Sequence, residues 1–204
     1  LGCHTGTISD AYRKLYLAGK LTNARKEFDT GRSSFNLAMG SSDFYDWLRE
    51  NPDLFRPDSI DYIHDPSRIG KLSRVISING GVQVDLMGQE NAESANGMQL
   101  SGIGGQMDFL EGAFRSEGGC GYICINSSRL TKDGVRKSNI LPFIPGGSTV
   151  SAPRTLIEAV ATEYGIAHLA GKSLAERREA MIAIAHPDFR DALRSEKPDL
   201  SRFL

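Results

Sequence analysis

Glycine limits what this chain can build more than any other residue. It occupies 22 of 204 positions, about 11% where about 7% is usual. The excess sits mainly between Gly80 and Gly147. Without a Cβ, such a segment can enter left-handed turns and bring its main chain close to a ligand. Backbone groups, more than side chains, are then what this region has to offer. On either side of it, helical and strand-like spacings alternate.

The alternation predicts an α/β fold. Ser9 opens a short helix through Tyr12, Leu15 and Tyr16, stopped at Gly19. Ser34 to Met39 reads as a buried strand. Ser41 and Ser42 open a second helix carrying Phe44, Trp47 and Leu48, which ends at Asn51-Pro52 because proline disfavours helix in the residue before it. Phe44, Tyr45 and Trp47 are expected in a core. Arg74 to Ile78 and Val82 to Leu86 are predicted strands, and Gly97 to Gly105 a glycine-rich loop. Met107 to Phe114 follows as a helix, then strands at Tyr122 to Ile125 and Asn139 to Ile144, and a short one ending at Ser151. Thr155 to Thr162 is expected to be helical. Ser173 with Glu176 forms a capping box opening a last helix, which His186-Pro187 ends. Residues 195–204 read as a polar, peripheral tail.

The balance of 24 Lys plus Arg against 25 Asp plus Glu gives a net charge of −1, which argues against a nucleic-acid footprint. The apolar runs are far shorter than a bilayer span, so no membrane association is expected. Cys3, Cys120 and Cys124 cannot pair completely and have no Cys-x-x-Cys pairing. Reduced thiols in a cytoplasmic protein are the expectation, and no metal site. His4, His64, His168 and His186 are scattered, without the close spacing a metal pair needs. The chain opens at Leu1 within what reads as mid-domain sequence, suggesting a fragment, a processed chain or one half of a larger enzyme.

Two stretches could carry chemistry. In Ser101-Gly102-Ile103-Gly104-Gly105-Gln106, three of four successive positions are glycine and a helix is due at about Gln106. Free amides there would face an anion or a developing oxyanion. The spacing is neither the dinucleotide fingerprint nor a P-loop, and a purely structural turn is the competing account. Asn79-Gly80-Gly81 closes a predicted strand. Its amide could donate to a thioester carbonyl, or the three residues could simply turn the chain.

In combination, the motifs are more specific. Ser77-Ile78-Asn79, Val82 to Gln89, Asn91-Ala92-Glu93-Ser94 and Ser101 to Phe109 occur in order. Thr162 to Leu169, Gly171 to Leu174 and Ala185 to Arg190 follow. The set resembles the C-terminal half of the acetyl-CoA hydrolase / 4-hydroxybutyrate CoA-transferase family, over residues 1–194. The resemblance implies a CoA-transferase-like open sheet flanked by helices. It also implies that an N-terminal half, on the same chain or a partner subunit, completes the active site, and that the full enzyme is a homodimer. Coenzyme A or acyl-CoA is implied as a substrate, with no permanently bound cofactor, and a small carboxylate as acceptor. Family chemistry is ping-pong: a glutamate carboxylate attacks the acyl-CoA, and an anhydride and then a glutamyl-CoA thioester follow. Asn79 falls at the position implied for the thioester oxygen. Gly80, Gly102, Gly104, Gly105 and Gln106 fall at those implied for CoA.

One departure bears on chemistry. The family nucleophile lies in a segment Leu-Gly-Ile-His-Thr/Ser-Glu, and this chain reads Leu1-Gly2-Cys3-His4-Thr5-Gly6. Gly6 stands where the glutamate is expected. Glu90, Glu111 and His4 are candidates to supply a base in its place. A non-catalytic acyl-CoA-binding subunit of the same fold is the competing reading.

Overall fold

Short runs of branched, aromatic and hydroxylated residues build parallel strands, and serine-capped helices return the chain between them. The computed structural model describes residues 1–95 and 97–196 and divides into two units. One contains Leu1–Ile76 with Glu111–Cys120, the other the described residues of Ser77–Leu110 and those from Gly121 to Glu196.

The first unit begins with β1 (His4–Ile8), α1 (Asp10–Leu17), β2 (Ser33–Ala38), α2 (Ser42–Glu50) and β3 (Phe55–Pro57). The strands form a parallel sheet in the order β1-β2-β3, with Thr5 opposite Phe35 and Ser34 opposite Arg56. Helices as crossovers are what parallel neighbours require. Ser41 caps α2 by accepting from Phe44 N at 3.3 Å, and its own hydroxyl donates to Asp10 at 2.6 Å. One serine therefore ties the starts of both helices together. The core is Ile8, Phe35, Phe44, Trp47 and Phe55. Trp47 meets Phe55 edge-on at 5.2 Å, a geometry worth about 1 kcal/mol beyond area burial. Phe44 and Trp47 take their expected core places. Tyr45 lies outside, its hydroxyl donating to the Ala38 carbonyl at 3.1 Å. Two one-turn helices, α3 (Ile60–Ile63) and α4 (Pro66–Ile69), follow.

The second unit holds most of β4 (Ile76–Gly80), then β5 (Gln83–Asp85), β6 (Glu90–Asn91), β7 (Ser94–Ala95) and β8 (Met98–Gln99). Helix α5 (Gln106–Arg115) begins there. β9 (Cys120–Cys124), β10 (Ser128–Leu130), β11 (Arg136–Ser138), β12 (Ile140–Leu141), β13 (Ala159–Thr162), β14 (Gly165–His168), α6 (Leu174–Ala183) and α7 (Pro187–Ser195) follow. A four-stranded sheet runs β14-β13-β9-β4, with β13 parallel to β9. A three-stranded one runs β12-β5-β6, and two-stranded ribbons pair β7 with β8 and β10 with β11. The core gathers Val84, Leu86, Leu110, Ile123, Ile140, Val160, Leu169, Met181 and Ile182.

The α/β class is as expected, with the strands spread over several small sheets. Thr155 to Thr162 is a correction: its second half is strand β13, not helix. Ala159 and Val160 are both fully buried, and a strand covered on two faces loses the alternation that marks a half-exposed one. The strand expected to end at Ser151 reduces to a single bridge between Glu90 and Ala152. The capping box at Ser173 and Glu176 is complete. Of the expected tail, Ser195 closes α7 and residues 197–204 lie outside the described residues. Among the described residues, no helix is long and apolar enough to cross a membrane.

Candidate functional site

Two of the family-like motifs are turns built by their own side chains. Asp85 Oδ1 accepts from Met87 N and Gln89 N, each at 2.9 Å, and its Oδ2 accepts from Gln89 Nε2 at 2.9 Å. Gly88 provides the left-handed corner at φ 85°. Asn91 Oδ1 then gathers the amides of Glu93 and Ser94 at 3.1 and 3.0 Å. Side chains that mimic a backbone turn in this way fix a loop where no ladder does. These turns place Glu90, between them, inside the protein.

Glu90 is fully buried. Its backbone is held on both sides, the amide donating to Ala152 O at 3.0 Å and the carbonyl accepting from Ser151 N at 2.8 Å. Its Oε2 accepts from Gln106 Nε2 at 2.9 Å, and Gln106 is the first residue of α5. Among the described residues, its Oε1 has no hydrogen-bond partner. A Cβ placed on Gly81 would stand 2.7 Å from that oxygen. Burial pushes the carboxyl up to about 7; the Gln106 contact pulls it down, and the nearby Glu93 carboxylate pushes it further up. Desolvation penalises the charged form, so a buried acid keeps its proton longer.

Gly81 also lines an open cleft of about 420 Å³ with Cys124, Ile125, Asn126, Ala161 and Thr162. Cys124 and Thr162 are the last residues of the parallel strands β9 and β13. The carboxyl ends of parallel strands are where open α/β sheets bind ligands. Gly81, which lines the cleft, and Gln106, which ends the glycine-rich loop, thus stand on either side of the Glu90 carboxyl.

The second unit contains Asn79, Gly80, Gly102, Gly104, Gly105 and Gln106. Asn79 is half-buried at the end of β4, with its amide donating to Ser77 Oγ at 2.8 Å. Gly80, Gly102 and Gly104 have no other atom within 4 Å of a Cβ placed on them, and Gly104 is left-handed at φ 59°. At Gly102 and Gly104 the loop is therefore free of crowding from its own fold. Gly105 accepts from Phe109 N at 3.1 Å, which starts α5. Gly6 belongs to the first unit, half-buried in the middle of β1.

The three candidate bases differ sharply. Glu111 is paired with Arg115 one turn along α5. His4 donates through Nε2 to the Ile63 carbonyl at 2.8 Å, and burial lowers it to about 4, so it is neutral at pH 7. Only Glu90 combines deep burial with a raised carboxyl and an unpaired oxygen. Its pairing with Gln106 was not legible in the sequence, because the two residues lie 16 positions apart. Among the described residues, no group of three His, Cys, Asp or Glu side chains is placed to hold a metal ion.

Residues 40–197 match the family model of the acetyl-CoA hydrolase/transferase C-terminal domain. The chain belongs to this family. It is 43% identical over 193 residues to butyryl-CoA:acetate CoA-transferase of Anaerostipes caccae, covering 95% of this chain and 43% of that protein. The crystal structure of RipA from Yersinia pestis superposes with a TM-score of 0.85 at 41% identity, covering 95% of this chain and 43% of the other. The 4-hydroxybutyrate CoA-transferase of Porphyromonas gingivalis gives a TM-score of 0.80 at 35% identity, covering 100% and 46%. The chain spans less than half the length of each of these relatives. The sequence-based resemblance is therefore correct at the level of family and fold.

Proposed function

We propose that the protein acts in CoA transfer between a short-chain acyl-CoA thioester and a carboxylate, or in hydrolysis of the thioester. The observation that carries this reading is the placement of Gly81 and of Gln106, the residue ending the Gly102–Gln106 loop, on either side of Glu90, with Gly81 lining the cleft where β9 and β13 end. The loop offers main chain without crowding, which suits close approach of a ligand. Asn79 and Gly80 are assigned to the thioester, and Gly102, Gly104, Gly105 and Gln106 to CoA. An N-terminal half, on the same chain or a partner, supplies the rest of the acyl pocket. The complete enzyme works as a homodimer in the cytoplasm.

Transfer in this scheme begins when a carboxylate oxygen attacks the thioester carbonyl carbon and expels CoA thiolate, leaving an acyl anhydride. The thiolate then attacks the enzyme side of that anhydride, forming the enzyme thioester and releasing the acyl carboxylate. An acceptor carboxylate reverses the two steps. Gly6 occupies the strand position proposed for the attacking carboxylate, and a Cα–H cannot attack. The same observation favours a second reading, a non-catalytic acyl-CoA-binding subunit.

Exchange of labelled acetate into acetyl-CoA by the unaltered full-length protein separates the two readings, and the same assay on its Gly6→Glu variant tests the assignment of Gly6. Loss of a covalent nucleophile commonly costs on the order of 10⁶ in turnover, so the variant should gain several orders of magnitude. Equal and robust exchange by both forms would overturn the assignment of Gly6. Acyl-CoA binding with no gain on restoring glutamate would favour the binding subunit.

A further inference from the structure

The Glu90 carboxyl is the most unusual group in the second unit, and the family-like motifs do not account for it. It is fully buried, one oxygen holds Gln106, and the other, beside Gly81, has no partner among the described residues. Its main chain is fixed by Ser151 and Ala152, so it is a rigid post. Gln106 is its one side-chain hydrogen-bond partner among the described residues, and Gln106 terminates the glycine-rich loop. A loop with left-handed Gly104 and open space at Gly102 has little packing of its own to fix its path.

We propose that Glu90 is a positioning residue that anchors the Gly102–Gln106 loop through Gln106 and so sets the loop's geometry for acyl-CoA. The proposal rests on the acyl-CoA reading of the site and deepens it. Glu90 is not among the residues lining the cleft, whereas Gly81, beside its Oε1, is. The carboxyl also makes the anchor sensitive to pH. Ionisation would put a charge against an apolar wall, with Oε1 still unpaired. The charged group acting on it is Glu93, on its own segment. Its contacts on the other elements, Gln106 of α5, Ser151, Ala152 and Gly81, carry no charge.

The test uses the full-length protein, its Glu90→Val, Glu90→Gln and Gln106→Leu variants, and the Glu90→Val/Gln106→Leu double variant. Amide hydrogen exchange of residues 102–106 is read without ligand, and CoA affinity by calorimetry from about pH 5.5 to about pH 8.5. Glu90→Val and Gln106→Leu should each speed loop exchange about tenfold or more and weaken CoA by a similar factor. The double variant should be no worse than either single one, because both remove one contact. Glu90→Gln should restore loop protection, since its amide oxygen can still accept from Gln106, and should flatten the pH dependence of CoA affinity. Unchanged loop exchange in Glu90→Val, or additive losses in the double variant, would overturn the proposal. Faster loop exchange in the variants, with no CoA bound by the unaltered protein, would sustain the anchor and overturn the acyl-CoA reading.

Discussion

Glu90 and Gln106 lie 16 residues apart in sequence and meet at 2.9 Å inside the second unit. That contact joins a buried carboxyl to the first residue of α5, and Gly81 closes its other side. Gln106, at the end of the glycine-rich loop, and Gly81 thus lie on either side of one buried carboxyl.

The first prediction concerns stability against pH. Glu90 in the folded protein holds its proton to about 7, against an ordinary value of 4.5. Between those values the folded state binds more protons than the unfolded state, so stability falls as pH rises and levels off above about 7. The full difference is on the order of 3 kcal/mol. The Glu90→Gln variant lacks this group and should gain stability relative to the parent as pH rises from about 5 to about 8. Denaturant unfolding at both pH values reads the difference. Parallel stability curves for the two proteins would mean the carboxyl ionises normally.

Gly81 gives a steric prediction. A Cβ there would stand 2.7 Å from Glu90 Oε1, 3.0 Å from Ile125 Cγ2 and 3.1 Å from Ile123 Cγ2. Gly81→Ala should therefore cost about 1–3 kcal/mol, as overpacking does. Combining it with Glu90→Ala should recover part of that loss, because one of the three clashing atoms is gone. Thermal unfolding of the four proteins measures the coupling; strict additivity would place the strain elsewhere.

His4 should stay neutral across the physiological range. Burial lowers it to about 4, opposed by its bond to the Ile63 carbonyl and assisted by Lys26. The unfolded state takes up a proton at about 6.5. Stability contributed by the neutral ring is thus complete above about 6.5 and is lost as pH falls towards 4. An NMR titration should show no imidazole transition for His4 between about pH 5.5 and about pH 8. A midpoint near 6.5 would show that the ring is hydrated.

Gly104 is left-handed at φ 59°, with open space where a side chain would stand. Gly104→Val is strained for backbone reasons alone, by roughly 1–2 kcal/mol. The loop should relax away from that conformation and CoA affinity should fall about tenfold or more, with the cores unaffected. Calorimetry together with the near-ultraviolet dichroism of Trp47 checks both halves. Undiminished CoA binding would remove Gly104 from the ligand site.

Local chemistry made much of this protein legible from its sequence. Ser41 before Phe44, and Ser173 before Glu176, mark helix starts because a hydroxyl satisfies amides only a few residues away. The buried strand around Phe35 and the core roles of Phe44 and Trp47 follow from spacing along a single element. The ordered motifs from Ser77 to Arg190 sufficed for the family, because turns such as that of Asp85 and Gln89 are closed by residues within them. Strand β13 was hidden because Ala159 and Val160 are covered on both faces, and that cover comes from distant segments. The environment of Glu90 was hidden for the same reason. Glutamate is ordinarily a surface residue, and its burial here follows from distant segments: Ser151 and Ala152 hold its main chain while Gly81 and Gln106 stand at its carboxyl. Sequence fixes interactions that close within a few residues; burial, and the acidity that depends on it, is a property of the assembled fold.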